Sequence, residues 1–273
     1  MALPKAQMDT PAVGEGFQTV GVRRWEQGRQ QQDHDQVAEE IPVALVYNGI
    51  SHVVMMASPD NLKEFALGFS LSEGIVKHPD EFYDIEIESH PRGFELQISI
   101  CNQRIAELKQ RRRNLAGRTG CGLCGAESLQ QAIRPIAKVR PQPLPSDEAL
   151  QAAVKELSSW QPLQSMTGAF HGAAWCDQQG KIQLLREDVG RHNALDKLIG
   201  SLQSEKQSTQ QGFALVSSRA SYEMVQKACS VGITTLAAVS APTSLAIELA
   251  DEAGLNLVGF ARPGRHVIYT KQD

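Results

Sequence analysis

The sequence predicts an α/β protein, α+β overall, with a small N-terminal domain and a larger C-terminal domain. Over residues 146–273, apolar runs of strand length alternate with segments of helical period, which is typical of an α/β layer fold. Over residues 36–116, two pairs of strand patterns flank one helical pattern, which indicates a small α+β unit. The chain has 273 residues, of which 41% are hydrophobic, so it can bury a sizeable core.

The N-terminal elements follow in order from local patterns. Residues 1–35 are rich in Gln, Asp and Gly and lack a sustained hydrophobic period, so we expect a mostly disordered lead-in. Asn48-Gly49 predicts a hairpin turn between two strands, and Ser58-Pro59-Asp60 predicts the capped start of a helix that ends near Gly74. A second hairpin is expected around His90-Pro91-Arg92-Gly93. The predicted strands cover residues 43–47, 50–56, 83–88 and 94–100.

A basic helix is predicted next, and it leads into two cysteines. Residues 102–116 have helical character, and Gly117 is well placed to end the helix. Cations near a helix C-terminus complement the helix dipole, but three consecutive arginines at 111–113 exceed that need. We therefore expect a polyanionic ligand or an acidic partner to approach this region.

Cys121 and Cys124 form a Cys-x-x-Cys motif flanked by glycines. Neighbouring arginines favour the thiolate, which is the form of cysteine that reacts, and the glycines allow the segment to move. The residues alone leave two other interpretations open: half of a zinc site, or an ordinary exposed turn. Residues 117–145 are assigned to this loop and to a Pro-rich linker that follows a short helix near 126–132.

The C-terminal domain, residues 146–273, is predicted to begin with a helix capped by Ser146. Strands and helices then alternate along the rest of the domain. The helices are predicted at 146–159, 191–200, 222–231 and 244–253. The strands are predicted at 169–176, 181–186, 212–217, 234–240, 256–260 and 266–270.

Four segments of this domain contain candidate binding residues. Arg219 follows a strand within Ser217-Ser218-Arg219-Ala220-Ser221, where hydroxyls and backbone amides can receive an anion. Two guanidiniums, which suit phosphate oxygens, occur together in a second loop after a strand. His171 lies among small residues and is either a ligand-binding residue, a base or a core histidine. Asp188 is expected to cap the next helix, and His192 in its first turn either binds a ligand or pairs with Asp196. The second loop is Phe260-Ala261-Arg262-Pro263-Gly264-Arg265.

Composition limits the classes of function. The formal net charge of -4 and the lack of interleaved aromatics argue against a nucleic-acid-binding protein. Five cysteines without a secretory pattern, and no apolar run that could span a bilayer, favour a reduced cytoplasmic protein without membrane attachment. Cys101, Cys176 and Cys229 are expected to be ordinary buried thiols.

Between Val20 and Tyr269 the chain resembles the FdhD family of formate dehydrogenase accessory proteins. Five stretches in the same order as in the family carry the resemblance. They are Ala38-Glu39-Glu40-Ile41-Pro42-Val43-Ala44-Leu45, residues 117–125 around the two cysteines, residues 187–197, Ser217-Ser218-Arg219-Ala220-Ser221-Tyr222-Glu223-Met224, and Arg262-Pro263-Gly264-Arg265.

The resemblance implies a sulfur carrier, or sulfurtransferase, that takes persulfide sulfur from a cysteine desulfurase. Cys121 would carry the persulfide and Cys124 would assist transfer to the molybdenum cofactor, Mo-bis(molybdopterin guanine dinucleotide), for formate dehydrogenase. The cofactor is a bound substrate, no tightly bound metal is expected, and residues 260–265 match the family's cofactor-binding loop. The resemblance also implies a cytidine-deaminase-like second domain and a homodimer.

Two other classes compete with this interpretation. A zinc deaminase would need a His-x-Glu helix followed by Pro-Cys-x-x-Cys. Here the order is reversed, Ala173 stands where the glutamate would be, and no proline precedes Cys121. A non-catalytic cofactor chaperone, with a redox-sensitive or zinc-binding dithiol, needs only the binding loops and stays open.

Overall fold

The computed structural model describes residues 16–115 and 135–270, with the backbone alone for residues 111–115. Its architecture is mixed α/β, as the sequence predicts, with a four-stranded sheet, a six-stranded sheet and a separate two-stranded ribbon. Helices fill the space between the two larger sheets. None of the described helices is long and apolar enough to cross a membrane.

The expected disordered lead-in is wrong for the part that the structure describes. β1 (Phe17–Glu26) and β2 (Arg29–Ala38) pair along their whole length through a turn at Gln27-Gly28. Both turn residues have positive φ, as type I′ hairpin turns require. The strands escape prediction because both faces of the ribbon are largely exposed, so its sequence shows no alternation of polar and apolar residues.

The four-stranded sheet confirms both predicted N-terminal hairpins. Its strand order is β4-β3-β6-β5, and β3 runs parallel to β6 in the centre. Asn48 and Gly49 adopt positive φ in the first turn, as that dipeptide predicts. The strands are β3 (Ile41–Tyr47), β4 (Ile50–Ala57), β5 (Phe82–His90) and β6 (Gly93–Ile100).

α1 (Leu62–Ser72) is confirmed, but Ser58 does not cap it. The helix begins after Asn61, which has a left-handed conformation and makes no capping bond. Ser58 instead hydrogen-bonds to Asp188 in the C-terminal half of the chain. A sequence pattern cannot distinguish a serine that caps a helix from one that bonds a distant carboxylate.

α2 (Asn102–Leu115) is confirmed and ends the first described part of the chain. Arg104 anchors its first turn through a two-point ion pair with Glu81, at 2.9 Å for both contacts. This pairing holds the pKa of Glu81 at about 2. Cys121, Cys124 and the short helix expected near 126–132 lie outside the described residues.

Residues 135–146 contain no helix or strand, which agrees with the Pro-rich composition. They are nevertheless held against the C-terminal half: Val139 is buried and its amide bonds to the carbonyl of Ala253. α3 (Asp147–Leu157) follows, with the Ser146 hydroxyl accepting from the amide of Ala149 as predicted. A short helix, α4 (Pro162–Thr167), was not predicted.

The six-stranded sheet has the order β12-β11-β10-β9-β7-β8. β9, β10 and β11 are parallel, whereas β12, β7 and β8 are antiparallel to their neighbours. The strands are β7 (His171–Cys176), β8 (Ile182–Asp188), β9 (Phe213–Val216), β10 (Thr235–Ala238), β11 (Asn256–Arg262) and β12 (Arg265–Ile268). The remaining helices are α5 (Arg191–Ser204), α6 (Tyr222–Ser230) and α7 (Ser244–Ala253).

One hydrophobic core joins the small sheet to the inner face of the large sheet. The contact between α1 and α5 depends on close approach of their backbones. A Cβ atom on Gly68 would overlap the carbonyl of Asp196, and one on Gly200 would overlap the carbonyl of Glu64. A second core lies on the outer face of the large sheet, beneath α3. The N-terminal and C-terminal parts of the chain are thus tightly packed against each other. The boundaries of the two predicted domains stay a prediction.

Candidate functional site

The candidate site lies at one edge of the six-stranded sheet. The C-terminal ends of the parallel strands β9, β10 and β11 meet there. Because β7 is antiparallel to β9 and β8 is antiparallel to β7, the start of β7 and the end of β8 reach the same edge. We call this the site edge; its loops are 189–190, 217–221, 239–243 and 260–265. All of the predicted cofactor-binding residues lie at this edge.

The turn after β11 brings two cations to one aromatic ring. The guanidinium carbons of Arg262 and Arg265 lie 5.8 and 5.4 Å from the ring centroid of Phe260. Both arginines are exposed, and Arg262 donates its Nε hydrogen to the carbonyl of Val239 at 3.1 Å. The free donors of two neighbouring guanidiniums suit the oxygens of a phosphate group.

Phe260 itself has a strained backbone. Its φ is +49°, in the left-handed region that residues other than glycine rarely adopt. The strain coincides with an irregularity in the β11–β12 pairing between Gly259 and Arg262. Ala261 is fully buried, and Pro263-Gly264 forms the exposed tip of the turn. Strain of this kind persists only where surrounding contacts impose it, and it is concentrated at functional sites.

The loop after β9 connects the middle of the site edge to β7. The Ser217 hydroxyl accepts from the amide of Gly172, and the Ser217 amide donates to the Gly172 carbonyl, both at 2.9 Å. Arg219 is exposed beyond them. The loop ends at Ser221, whose side chain makes no capping bond to α6 and whose buried Oγ has no hydrogen-bond partner.

The beginning of α5 faces the beginning of α6. Nε2 of His192 lies 3.0 Å from Oε2 of Glu223, a close ion-pair distance, although it lacks the alignment of a hydrogen bond. Interaction with this imidazole holds the pKa of Glu223 below its ordinary value. The Nε of Arg191, one residue earlier, is buried without a partner. Two helix N-termini and the partly buried guanidinium of Arg191 thus adjoin each other, an arrangement that favours an anion.

The sequence interpretation of this segment needs two corrections. The residue that precedes α5 is Gly190 rather than Asp188, and no side chain caps the helix. His192 pairs with Glu223, whereas Asp196 pairs with Lys227. Residues one turn apart on a helix are neighbours, but a partner on another helix can compete, and sequence spacing gives no information about that helix.

His171 is half-buried at the start of β7. Burial lowers its pKa most, and the positive charge of Arg191 lowers it further; Asp188 opposes these effects, and His192 and Arg219 make smaller lowering contributions. His171 therefore belongs to the same electrostatic cluster as Arg191, His192 and Arg219. A neutral imidazole near these two arginines can donate a hydrogen bond to a ligand or accept one from it.

A buried polar network lies directly behind the beginning of α5. One carboxylate oxygen of Asp188 is 2.8 Å from the Nζ of Lys197 and also accepts from the Ser58 amide and hydroxyl. Its other oxygen accepts from the Gly190 amide and from Asn193. These residues are buried and have partners within the protein, so they hold the Gly190 segment in place rather than bind a ligand.

A second buried ion pair fixes α5 to α6 one turn further along. Nζ of Lys227 lies 2.9 Å from Oδ2 of Asp196 and 2.9 Å from Glu73, and Ser72 donates to Asp196. Burial opposes the charge of Lys227, but the two carboxylates outweigh it and raise the pKa of the amine. The family-like segment 187–197 therefore serves the fold as well as the site.

The three described thiols differ in burial, and the expectation of a buried thiol is wrong for Cys101. Cys176 and Cys229 are buried, as expected, and burial raises the pKa of both, that of Cys229 to about 12. Cys101 is only half-buried. Among residues 16–115 and 135–270, no group of three or more His, Cys, Asp and Glu side chains could hold a metal ion. Cys121 and Cys124 lie outside these ranges.

The described cavities do not coincide with the site edge. One of about 510 Å³ lies between residues 141–144 and the end of α7, near the start of β11. This is the opposite edge of the sheet, and its lining includes no arginine, lysine or histidine.

Sequence reasoning missed Arg191 and Glu223 as members of the site, and it included Ser221 only as part of the loop that contains Arg219. Arg191 stood beside His192 in a recognised motif, and that adjacency was the available signal. Ser221 and Glu223 occur in another motif, but only the fold shows that the two helix N-termini face each other.

The fold and the described residues define a mixed α/β protein with arginine and histidine side chains gathered at one edge of its larger sheet. The model of the FdhD/NarQ family matches residues 38–273, and the chain belongs to this family. It is similar to sulfur carrier protein FdhD of Cupriavidus necator, with 54% identity over 251 residues that cover 92% of this chain and 87% of the relative. The FdhD protein of Xanthomonas campestris is 52% identical over 265 residues, covering 97% and 94%.

A solved structure supports the fold independently. The crystal structure of a putative formate dehydrogenase accessory protein from Desulfotalea psychrophila superposes with a TM-score of 0.71. The match covers 94% of this chain and 98% of that one, at 24% sequence identity. At this level of identity the similarity supports the fold alone.

Proposed function

We propose that this protein accepts a persulfide sulfur from a cysteine desulfurase on Cys121 and passes it to a molybdenum cofactor bound at the site edge. The family membership and the closely similar sulfur carriers support the class of reaction. The observation that carries the binding half is convergence: His171, His192, Arg219 and the Phe260–Arg265 turn come from separate parts of the chain and meet at one sheet edge.

The sulfur chemistry requires two thiols and balances in two steps. The Cys121 thiolate attacks the terminal sulfur of the desulfurase persulfide, forming the S–S bond of a Cys121 persulfide and releasing the desulfurase thiolate. The Cys124 thiolate then attacks the Cys121 sulfur, which forms a Cys121–Cys124 disulfide and releases hydrosulfide to the acceptor. The two thiols supply the two electrons that reduce the transferred sulfur, and a dithiol reductant restores them.

The site edge fits the charged parts of a guanine-dinucleotide cofactor. Arg262 and Arg265 would bind phosphate oxygens beside the Phe260 ring, and Arg219 would extend the positive surface towards β7. Three strand spacings separate β11 from β7, or roughly 14 Å, which is the scale of a dinucleotide. The unpartnered polar atoms of Arg191 and Ser221 offer further hydrogen bonds at the far end.

Formate dehydrogenase is the proposed recipient of the modified cofactor. The solved structure from Desulfotalea psychrophila is that of a putative formate dehydrogenase accessory protein. A homodimer would present two site edges, which would suit a cofactor with two guanine dinucleotides.

Nucleotide binding tests the proposed site directly, with GDP as the probe. We expect Arg262→Ala and Arg265→Ala each to weaken GDP binding about tenfold in calorimetry, because each removes charge-assisted hydrogen bonds. Arg140→Ala is the matched control, since this exposed arginine lies near the end of α7, away from the site edge. Unchanged affinity in both site variants would contradict the proposal.

A further inference from the structure

Gln151 of α3 lies outside the site edge and hydrogen-bonds to the turn that connects Arg262 to Arg265. Oε1 of Gln151 accepts from the amide of Gly264 at 2.7 Å, and Nε2 of Gln151 donates to the carbonyl of Arg265 at 3.2 Å. One amide group thus bonds a donor and an acceptor on consecutive residues of the turn. These bonds fix the backbone between Arg262 and Arg265.

The amide of Gln151 is itself oriented by a polar chain. Its Nε2 lies 3.2 Å from Nδ1 of His266, and Nε2 of His266 lies 3.0 Å from a carboxylate oxygen of Asp147. Because the Gln151 nitrogen can only donate, Nδ1 of His266 accepts and Nε2 carries the proton towards Asp147. A flipped amide would place its NH2 group against the Gly264 amide, so this chain selects one orientation.

α3 provides a rigid base for this contact. The helix begins with a satisfied Ser146 cap, and its apolar face packs into the outer core of the six-stranded sheet. The buried residues of that face are Ala149, Leu150, Ala153, Val154 and Leu157. Gln151 is therefore fixed relative to the sheet, while the turn that it holds is an exposed connection between β11 and β12.

The turn needs such support because its conformation is unfavourable by itself. Phe260 has a positive φ, and the guanidiniums of Arg262 and Arg265 approach the same ring although they repel each other. Without an external constraint the free turn would sample other arrangements, and a ligand would have to restore this one at a cost in affinity.

We infer that Gln151 is a positioning residue for phosphate binding by Arg262 and Arg265. It acts through the backbone of Gly264 and Arg265 and presents the two guanidiniums together to a nucleoside diphosphate. This inference rests on the proposed function, since it concerns the same ligand. It adds a residue of α3, outside every motif that the family resemblance contains.

Gln151→Met tests the inference, because methionine keeps the length of the side chain and loses both hydrogen bonds. We expect its dissociation constant for GDP to rise about tenfold, as the loss of two hydrogen bonds that preorganise a site predicts. Gln151→Ala should give the same loss, so the result does not depend on how methionine packs. Gln183→Met is the matched control: it makes the same change at an exposed position on β8.

A double-mutant cycle separates positioning from a general structural role. If Gln151 acts through the turn, Gln151→Met should have less effect on GDP binding in an Arg265→Ala background than in the wild-type protein. A full tenfold effect in both backgrounds would overturn the inference, as would wild-type affinity in both Gln151 variants. A wild-type protein that fails to bind GDP would overturn the proposed function itself, so the two failures are distinguishable.

Discussion

His171 shows at the level of one residue how the site edge is prepared for an anion. It is half-buried, and the nearby Arg191 lowers its pKa by more than Asp188 raises it. Arg191 and Ser221 each bury a polar atom without a partner in the described structure. Such atoms are rare in folded proteins and cost about 1–3 kcal/mol each when unsatisfied. A bound anion of the kind proposed would offer them hydrogen-bond partners.

The lowered pKa of His171 predicts a pH dependence of stability. The unfolded protein binds a proton at this residue near pH 6.5, whereas the folded protein does so only at lower pH. The contribution of His171 is thus fully present above about pH 6.5 and is lost as the pH falls towards the folded pKa. Urea unfolding at several pH values should show a smaller decline for His171→Gln; an equal decline would contradict the assignment.

At the level of elements, the sequence predicted the helices and strands whose buried residues recur with the period of a helix or of a strand. α3 and α7 have polar caps and apolar faces, and both were found within a few residues of their bounds. The β1–β2 ribbon and α4 were missed, because an exposed ribbon has no buried face and a six-residue helix spans less than two turns. Gln151 could not be recognised either, since a lone glutamine on a helix carries no signal until its partners are known.

The packing of α5 against α6 depends on the buried ion pair between Asp196 and Lys227. We expect Asp196→Ala to lower the free energy of unfolding by about 3–5 kcal/mol, because it leaves the buried Lys227 amine with one carboxylate fewer. Adding Lys227→Met should recover part of that loss, since the uncompensated charge is then removed as well. Urea denaturation of the single and double variants measures both effects. A loss below about 1 kcal/mol for Asp196→Ala would argue that solvent reaches the pair.

At the level of the whole molecule, the sequence placed Arg219 and the Phe260–Arg265 loop after strands, and the parallel order of β9, β10 and β11 brings both to one edge of the sheet. It could not predict that the N-terminal half would support them. Ser58 reaches Asp188 behind α5, and Ser72 reaches Asp196 between α5 and α6. These long-range bonds link the small sheet to the site edge, and no local pattern encodes them.

The two cysteines connect the halves of the molecule in sequence. α2 ends at Leu115 on the side of the small sheet, and the described chain resumes at residue 135 beside the C-terminal half. In the proposed function, sulfur acceptance on Cys121 and cofactor binding at the site edge would depend on different parts of the chain. This division of tasks is the central claim of the proposed mechanism.

Mass spectrometry after incubation with a cysteine desulfurase and free cysteine tests that claim most directly. The wild-type protein and the Arg262→Ala variant should both gain one sulfur on Cys121, whereas Cys121→Ala should gain none at that position. The absence of a sulfur adduct on either Cys121 or Cys124 of the wild-type protein would contradict a sulfur carrier and favour a non-catalytic cofactor chaperone. Loss of the adduct in Arg262→Ala would contradict the separation of sulfur loading from cofactor binding.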